Sequence, residues 1–181
     1  TYDELKKLST NPFDTLIIKH RSNLSQSAAI NTGLINSKYE NIITMDGDLQ
    51  NDPGDLSKMI VEFEKGSDML IGWRRERKDD FFSKKIPSIL ANFIVRLFTS
   101  SKVHDHGCAF KIFKKKLIDE FNNWGDFHRL LAARIANKGH QVNEIEVKHD
   151  SRVHGSSNYG FNRIVKVLVD LIYLKFFKKH R

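Results

Sequence analysis

The sequence predicts an α/β fold in which a mostly parallel sheet is flanked by helices. Short apolar runs rich in β-branched residues alternate with longer segments of helical periodicity through residues 15–72. The 181 residues are 40% hydrophobic and 29% charged, which is typical of a globular chain that buries its own core. One cysteine excludes a disulfide framework, and the absence of an 18-residue apolar run excludes a complete membrane-spanning helix within this sequence.

Five elements are predicted in the first half, in the order strand, helix, strand, helix, strand. The three strands are residues 15–18, 41–45 and 68–72, each a short run of the kind found in buried strands. The first helix covers residues 25–37, whose small residues fit close packing on a sheet. The second helix begins at Pro53 and Asp55. Its apolar face consists of Leu56, Met59, Ile60 and Phe63.

The second half is predicted to be richer in long apolar helices. Helices are expected at residues 82–97, 127–136 and 161–177, and strands at residues 109–113 and 142–147. The last helix is apolar around most of its circumference, but it is interrupted by Lys166, Asp170 and Lys175 and is followed by a basic cluster. This pattern favours a helix that lies in a membrane interface over one that spans the membrane.

Charge is distributed unevenly along the chain, although the net charge is +8. Residues 1–72 carry 7 Lys and Arg against 11 Asp and Glu, whereas residues 73–181 carry 23 against 11. The basic second half therefore indicates an anionic partner, namely nucleic acid, a phosphorylated ligand or an anionic membrane surface.

The most informative segment is ITMDGDLQNDP, residues 43–53. Asp46 and Asp48 follow a predicted strand, at the position where open α/β sheets bind ligands. Two close carboxylates are costly unless a cation lies between them, and oxygen ligands suit Mg²⁺ or Mn²⁺. Gly47 would allow close approach of a ligand to the backbone, and Gln50 supplies a further oxygen. The same residue types are also typical of an acidic surface turn.

Six motifs in order resemble the inverting glycosyltransferases of family 2, which have the GT-A nucleotide-sugar transferase fold. The similarity is to the branch of dolichol-phosphate mannose synthases and bacterial polyprenyl-phosphate glycosyltransferases, and it extends over almost the whole chain. The motifs are NLSQSAAINTG (23–33), ITMDGDLQNDP (43–53), IGWRRER (71–77), DHGCAFKIFKK (105–115), FHR (127–129) and RVHGSSNYG (152–160).

The resemblance implies a donor site around the carboxylate turn. Asp46 and Gly47 would lie at the diphosphate or ribose of a nucleotide-sugar. Asp48 and Gln50, with Asp46, would hold the Mg²⁺ or Mn²⁺ ion that bridges the diphosphate. Arg152 would reach the diphosphate or the acceptor phosphate.

The resemblance also implies an acceptor site. Arg74, which follows a predicted strand, would face the acceptor phosphate, and Lys85 and Ser88 would line the same pocket. Asp105 is a further expected site carboxylate, with capping of a local turn as the alternative. If the acceptor were a sugar hydroxyl, Asp105 or Asp126 would be the candidate general base.

The function implied is metal-dependent transfer of a sugar, with inversion, from a nucleotide-sugar to a polyprenyl or dolichyl phosphate. One alternative is transfer to a sugar hydroxyl in polysaccharide or cell-envelope synthesis, and another is a degenerate or regulatory domain of the same family. A third is a non-enzymatic binder of anionic lipid or nucleic acid. Because the basic residues accompany apolar helices instead of a stacking platform, we expect a membrane surface and no nucleic acid as partner.

Compared with the family pattern, the chain starts after two strands that hold the nucleotide, and it stops where relatives continue into membrane helices. We therefore expect residues 1–160 to be a partial GT-A catalytic domain and residues 161–181 to be an amphipathic helix at the cytoplasmic face of a membrane. The isolated chain is expected to expose a sheet edge and to bind the donor weakly or not at all.

Three histidines and the cysteine permit further expectations. His104, His106 and Cys108 superficially resemble metal ligands, but alternating residues on one strand without a fourth ligand make a poor zinc site. Cys108 is therefore predicted to be in or near the core. His128, with Arg129, fits either a site or a surface pair.

Overall fold

The computed structural model describes residues 5, 15–75, 86–99, 101–119 and 127–151. These residues form a four-stranded sheet with helices packed against it. The predicted helix at 161–177 lies outside the described residues. Among the helices that the structure describes, none combines the length and the hydropathy needed to cross a membrane.

The described elements follow one another as α1, β1, a 3-10 turn, α2, β2, α3, β3, α4, α5 and β4. The helices are α1 (Gln26–Asn36), α2 (Leu56–Glu64), α3 (Ile86–Phe98), α4 (Lys116–Asp119) and α5 (Phe127–Asn137). The strands are β1 (Asn41–Thr44), β2 (Met69–Trp73), β3 (Lys111–Lys114) and β4 (Val142–Glu146), and the 3-10 turn is Pro53–Asp55.

The strand order in the sheet is β1-β3-β2-β4. Strand β3 is antiparallel to β1 and β2, while β2 and β4 are parallel, so that three of the four strands run in one direction. The register places Lys111 opposite both Thr44 and Ile71. The carboxyl ends of β1 and β2 therefore lie at the same edge of the sheet, where the chain enters β3. The predicted α/β class is confirmed.

Two details of the predicted strands are wrong. Residues 15–18 have no strand conformation, and the Leu16 side chain is 66% exposed. A β-branched run forms a strand only beside a pairing partner, and in the described ranges no strand pairs with this run. The second predicted strand exists as β1, but it lies at the edge of the sheet that the described residues form, and it is not buried, with Ile43 43% exposed.

The predicted helices of the first half are confirmed, and their ends are capped by the expected residue types. Ser25 caps α1, since its Oγ accepts a hydrogen bond from the Ala28 amide at 3.1 Å. Asp52 caps the Pro53 turn in the same way, accepting from the Gly54 amide at 2.8 Å. On α2 the buried face is narrower than predicted, because Ile60 is exposed.

The main core lies between the sheet and helices α1, α2, α4 and α5. Strand β2 contributes three fully buried side chains, and α5 packs against both β2 and β4. The largest fully buried side chains include Phe110, Phe113, Met59, Met69, Leu70, Ile71, Ile112, Leu117 and Ile135. This core fixes the sheet edge at which the polar residues converge.

Candidate active site

The carboxylate turn, residues 46–50, follows β1 directly. Gln26, the first residue of α1, donates from Nε2 to Asp46 Oδ1 at 2.8 Å, so that α1 fixes the Asp46 carboxylate. Asp48 folds back on the turn and accepts a hydrogen bond from the Gln50 amide at 3.2 Å. Both aspartates are half-buried.

The backbone of this turn carries strain at Leu49 and open space at Gly47. Leu49 has a φ of 62°, in the left-handed region that costs a non-glycine residue about 1–2 kcal/mol. Apart from Gly47 itself and its two neighbours in the chain, no atom of the described residues lies within 4 Å of the position that a Cβ would take at Gly47. The turn itself therefore does not need glycine at this position, and the space beside Gly47 is open to a ligand.

The donor atoms of the turn fit a hard divalent cation. Asp46 and Asp48 offer carboxylate oxygens. Gln50 offers its side-chain carbonyl oxygen, because its side-chain nitrogen Nε2 already donates to the Asp150 carbonyl at 3.2 Å. Mg²⁺ is usually bound by one or two carboxylates together with phosphate oxygens and water. Within the described ranges, no group of three or more His, Cys, Asp or Glu side chains is placed so that it could hold a metal ion. The turn thus suits a metal whose shell a phosphorylated ligand completes.

A second segment, residues 148–150, is hydrogen-bonded to the carboxylate turn and to the residues that follow it. The Asp150 amide donates to the Gln50 carbonyl at 2.9 Å, and Asn51 forms a β-bridge with His149. The Lys148 amide donates to the buried Asp55 carboxylate at 2.7 Å. The predicted site residue Arg152 follows Asp150 by two positions in the sequence but lies outside the described residues.

Arg74 and Asp105 form a buried bidentate ion pair. The guanidinium donates from Nε to Asp105 Oδ2 at 2.7 Å and from Nη2 to Asp105 Oδ1 at 2.9 Å. Their side chains are 12% and 6% exposed. The sequence indicated both residues as site candidates but not their contact, which joins the end of β2 to the loop that leads into β3.

Further contacts hold this loop against β2 and β4. The His104 ring stacks on Trp73 with 4.7 Å between ring centroids, and His104 also contacts the Glu144 carboxylate through Nδ1. The Arg75 guanidinium lies over the Trp73 ring, with its Cζ 5.6 Å from the ring centroid. Its Nη1 also pairs with Glu146 Oε1 at 2.7 Å. The loop that carries Asp105 is therefore anchored on two strands.

Cys108 and His106 are both buried in this loop. Cys108 is fully buried, as predicted, and burial raises the pKa of its thiol to about 11. Burial also lowers the pKa of His106 to about 4, so that its imidazole is neutral at physiological pH. Among the residues that the structure describes, neither ring nitrogen of His106 has a hydrogen-bond partner.

At the same sheet edge, Lys111 was not predicted as a functional residue, and His128 with Arg129 had been expected to form either a site or a surface pair. Lys111, inside β3, is buried, and its Nζ donates to the His128 carbonyl at 2.9 Å. His128 and Arg129 are both buried, so that they are not a surface pair. A charged residue within the apolar run AFKIF was the available signal for Lys111.

The structure brings Asp46, Asp48, Gln50, Arg74 and Asp105 to one edge of the sheet. Lys85 and Asp126 lie outside the described residues, and Ser88 is described only as part of the α3 backbone. The roles predicted for Lys85, Ser88 and Arg152 therefore stay predictions.

Sequence comparison identifies relatives that act on polyprenyl phosphates, as their names state. The chain is 39% identical over 168 residues to a dodecaprenyl-phosphate galacturonate synthase from Rhizobium johnstonii, covering 91% of this chain and 50% of the relative. It is 32% identical over 173 residues to an undecaprenyl-phosphate 4-deoxy-4-formamido-L-arabinose transferase from Pseudomonas fluorescens, covering 94% of this chain and 49% of the relative. The chain thus spans about half the length of these curated relatives.

A family-level match includes most of the site described above. Residues 1–121, more than half of the chain, match the family described as Glycosyl transferase family 2. The matched range contains α1, the carboxylate turn, Arg74 and Asp105. The nucleotide-sugar transferase fold of that family is the GT-A fold predicted from the motifs. The chain therefore belongs to glycosyl transferase family 2.

Proposed function

We propose that the protein transfers a sugar, with inversion, from a nucleotide-sugar to a polyprenyl phosphate, with Mg²⁺ or Mn²⁺ at the carboxylate turn. Enzymes of the family generally use a divalent metal. The acceptor class is supported by the names of relatives in which a dodecaprenyl or undecaprenyl phosphate is the lipid. The single observation that carries the proposal in the chain itself is the Arg74–Asp105 ion pair.

The pair bears on the choice between a phosphate and a hydroxyl acceptor. Both carboxylate oxygens of Asp105 accept hydrogen bonds from Arg74, and contacts of this kind favour the ionised form of a carboxylate. A carboxylate stabilised as an anion is a poor base, whereas a sugar hydroxyl needs one. A phosphate monoester has a second pKa of about 6 and is already nucleophilic at neutral pH. Asp105 thus fits a role in holding Arg74 better than a role as base.

Arg74 is suited to orient the acceptor phosphate. A guanidinium carries five N–H donors in a rigid plane, of which Asp105 takes two and thereby sets the orientation of that plane. The buried position lowers the local dielectric and strengthens interaction with a phosphate. Arg74 would hold the attacking oxygen in line with the anomeric carbon and offset repulsion between the two phosphorylated substrates.

The donor side of the reaction is assigned to the carboxylate turn. Asp46, Asp48 and Gln50 would hold the metal, which supplies positive charge to the departing nucleoside diphosphate. Asp46 is oriented by Gln26, and Gln50 is held by Asp150. Arg152, close in sequence to Asp150, would add a second positive charge there.

A membrane setting follows from the proposed acceptor. We assign residues 1–160 to the catalytic domain and residues 161–181 to a helix at the cytoplasmic membrane surface. Each basic residue near an anionic bilayer contributes roughly 1 kcal/mol, and Lys178, Lys179 and Arg181 end this segment. Such a helix would keep the headgroup of the acceptor near the site while its tail stays in the bilayer.

The experiment is a transfer assay on the whole protein in membranes, with polyprenyl phosphate and a panel of nucleotide-sugars. We expect one donor to give a glycosyl polyprenyl phosphate of inverted anomeric configuration. The product should disappear with a chelator and return with added Mg²⁺ or Mn²⁺. Formation of product on a saccharide hydroxyl but not on the lipid would contradict the proposal.

A further inference from the structure

Lys111 is a buried cation that none of the predicted roles uses. Its side chain projects from β3 at the point opposite Thr44 and Ile71, and the residue is 4% exposed. Burial lowers its pKa to about 8, although the carboxylates of Asp105 and Asp46 favour the charged form. Most of the lysine population is therefore protonated at neutral pH. A buried charge is costly, so its position beneath the site needs a reason.

The ammonium group is linked to the carboxylate turn through two helices. Lys111 Nζ donates to the carbonyl of His128 in the first turn of α5, at 2.9 Å. The His128 ring is hydrogen-bonded through Nδ1 to Ser27 Oγ in the first turn of α1, at 2.8 Å, and both side chains are buried. Gln26 precedes Ser27 and holds Asp46. The path thus joins β3, α5, α1 and the turn.

A small cavity with a mainly apolar lining lies along this path. It has a volume of about 20 Å³, and Lys111, His128, Thr44 and Gln26 are among the residues that line it.

We propose that Lys111 is a positioning residue for the donor and its metal, which it serves by fixing α1 through His128 and Ser27 and so fixing Asp46. This role rests on the proposed function. Removal of the ammonium frees the first turn of α5 and loosens the contact with Ser27. Gln26 and Asp46 then lose their fixed position, whereas Arg74 keeps its own partner, Asp105. The donor side is therefore affected more than the acceptor side, where Lys111 interacts with Arg74 and Asp105 through charge alone.

The test compares Lys111→Met and Ser27→Ala with Thr32→Ala in the whole protein. Thr32 lies on α1 and bonds His20 at 2.8 Å, outside the path, so its change is a matched control. Ser27→Ala removes only the hydrogen bond between Ser27 and His128, so it still tests the path if Lys111→Met does not fold. We expect both path variants to raise the donor KM about fivefold to tenfold, with a clearly smaller change in the acceptor KM. The control should match the wild type.

A second readout is independent of turnover. Mn²⁺ binding in the presence of a nucleoside diphosphate, followed by electron paramagnetic resonance, should weaken in the path variants by a similar factor. Unchanged Mn²⁺ affinity and unchanged donor KM in a folded path variant would overturn the proposal, as would equal losses in both substrates. Lys111-dependent Mn²⁺ binding by a protein that does not glycosylate polyprenyl phosphate would overturn the proposed acceptor but not this role.

Discussion

Arg74 meets Asp105 in a side-on, two-bond contact, with N–O distances of 2.7 and 2.9 Å, although 31 positions separate the two residues in the chain. The contact closes the loop before β3 onto the end of β2. A bidentate contact of this kind between a guanidinium and a carboxylate also stabilises the carboxylate anion. The acceptor half of the proposed site is built on this pair.

The Arg74–Asp105 pair should contribute much more to the free energy of unfolding than the exposed Arg75–Glu146 pair beside it. Asp105→Asn leaves the Arg74 charge buried without its counter-charge and should lower the free energy of unfolding by about 3 kcal/mol. Glu146→Gln, which breaks the exposed pair with Arg75, should cost less than about 1 kcal/mol. Thermal melts of both variants measure the difference. Equal melting temperatures would show that the Arg74–Asp105 contact is not maintained in solution.

Asp48→Asn should abolish transfer while leaving the fold intact. Its carboxylate accepts a long hydrogen bond, 3.2 Å, from the Gln50 backbone amide within its own turn, so an amide costs the turn little, whereas a metal ligand is lost. Asp52→Asn is the matched control, since it removes the same charge from the same segment and can still cap the Pro53 turn. Wild-type turnover by Asp48→Asn would remove this residue from the metal set. A large fall in melting temperature would indicate a structural role instead.

Gly72 should not tolerate a methyl group. A Cβ at this position would lie 2.8 Å from Val147 Cγ2 and 3.2 Å from Cys108 Sγ. We expect Gly72→Ala to destabilise the protein by about 1–3 kcal/mol, as overpacking does. Adding Val147→Ala removes the closest atoms, so the double variant should recover part of the loss relative to the sum of the single changes. Strictly additive losses would contradict this packing.

Asp68 should make stability depend on pH below about 5. Lys114, 2.7 Å away, and the Gln141 amide lower the pKa of Asp68 below its usual 3.8. Because the folded pKa is lower than the unfolded one, the stabilisation is present above the unfolded pKa and is lost as the pH falls through the folded pKa. The melting temperature of the wild type should fall more between pH 6 and pH 3 than that of Asp68→Asn.

The control for this pH dependence is Glu62→Gln, which breaks the exposed pair with Lys65 on α2. It should follow the wild-type pH curve, since an exposed pair within one helix contributes little. An Asp68→Asn curve parallel to the wild type would mean that the Lys114 contact does not stabilise the folded state.

The elements that the sequence predicted well are those with local signals. The periodicity of α2, its start at Pro53 and Asp55, and the position of the carboxylate turn after β1 all depend on residues close together in the chain. The strand order could not be predicted in this way. Apolar runs look alike whichever neighbour they pair with, so the insertion of antiparallel β3 between β1 and β2 left no local mark.

The same distinction applies to the site. The types of residue that bind metal and phosphate were readable from the motifs, but their partners were not. The contacts of Asp46 with Gln26 and of Lys111 with His128 join residues on different elements, which only the tertiary fold brings together. A lysine at a buried strand position was visible in the sequence, yet its use depends on α5.

We propose that Arg74 binds the phosphate of a lipid acceptor, and this role is tested by comparing two acceptors that differ only in that group. The whole protein in membranes is given its donor and metal with either polyprenyl phosphate or the corresponding polyprenol. We predict transfer to the phosphate alone, and an acceptor KM raised about tenfold or more in Arg74→Lys, which keeps the charge but loses the bidentate contact with Asp105. Transfer to polyprenol at a comparable rate, or an unchanged acceptor KM in Arg74→Lys, would contradict the account.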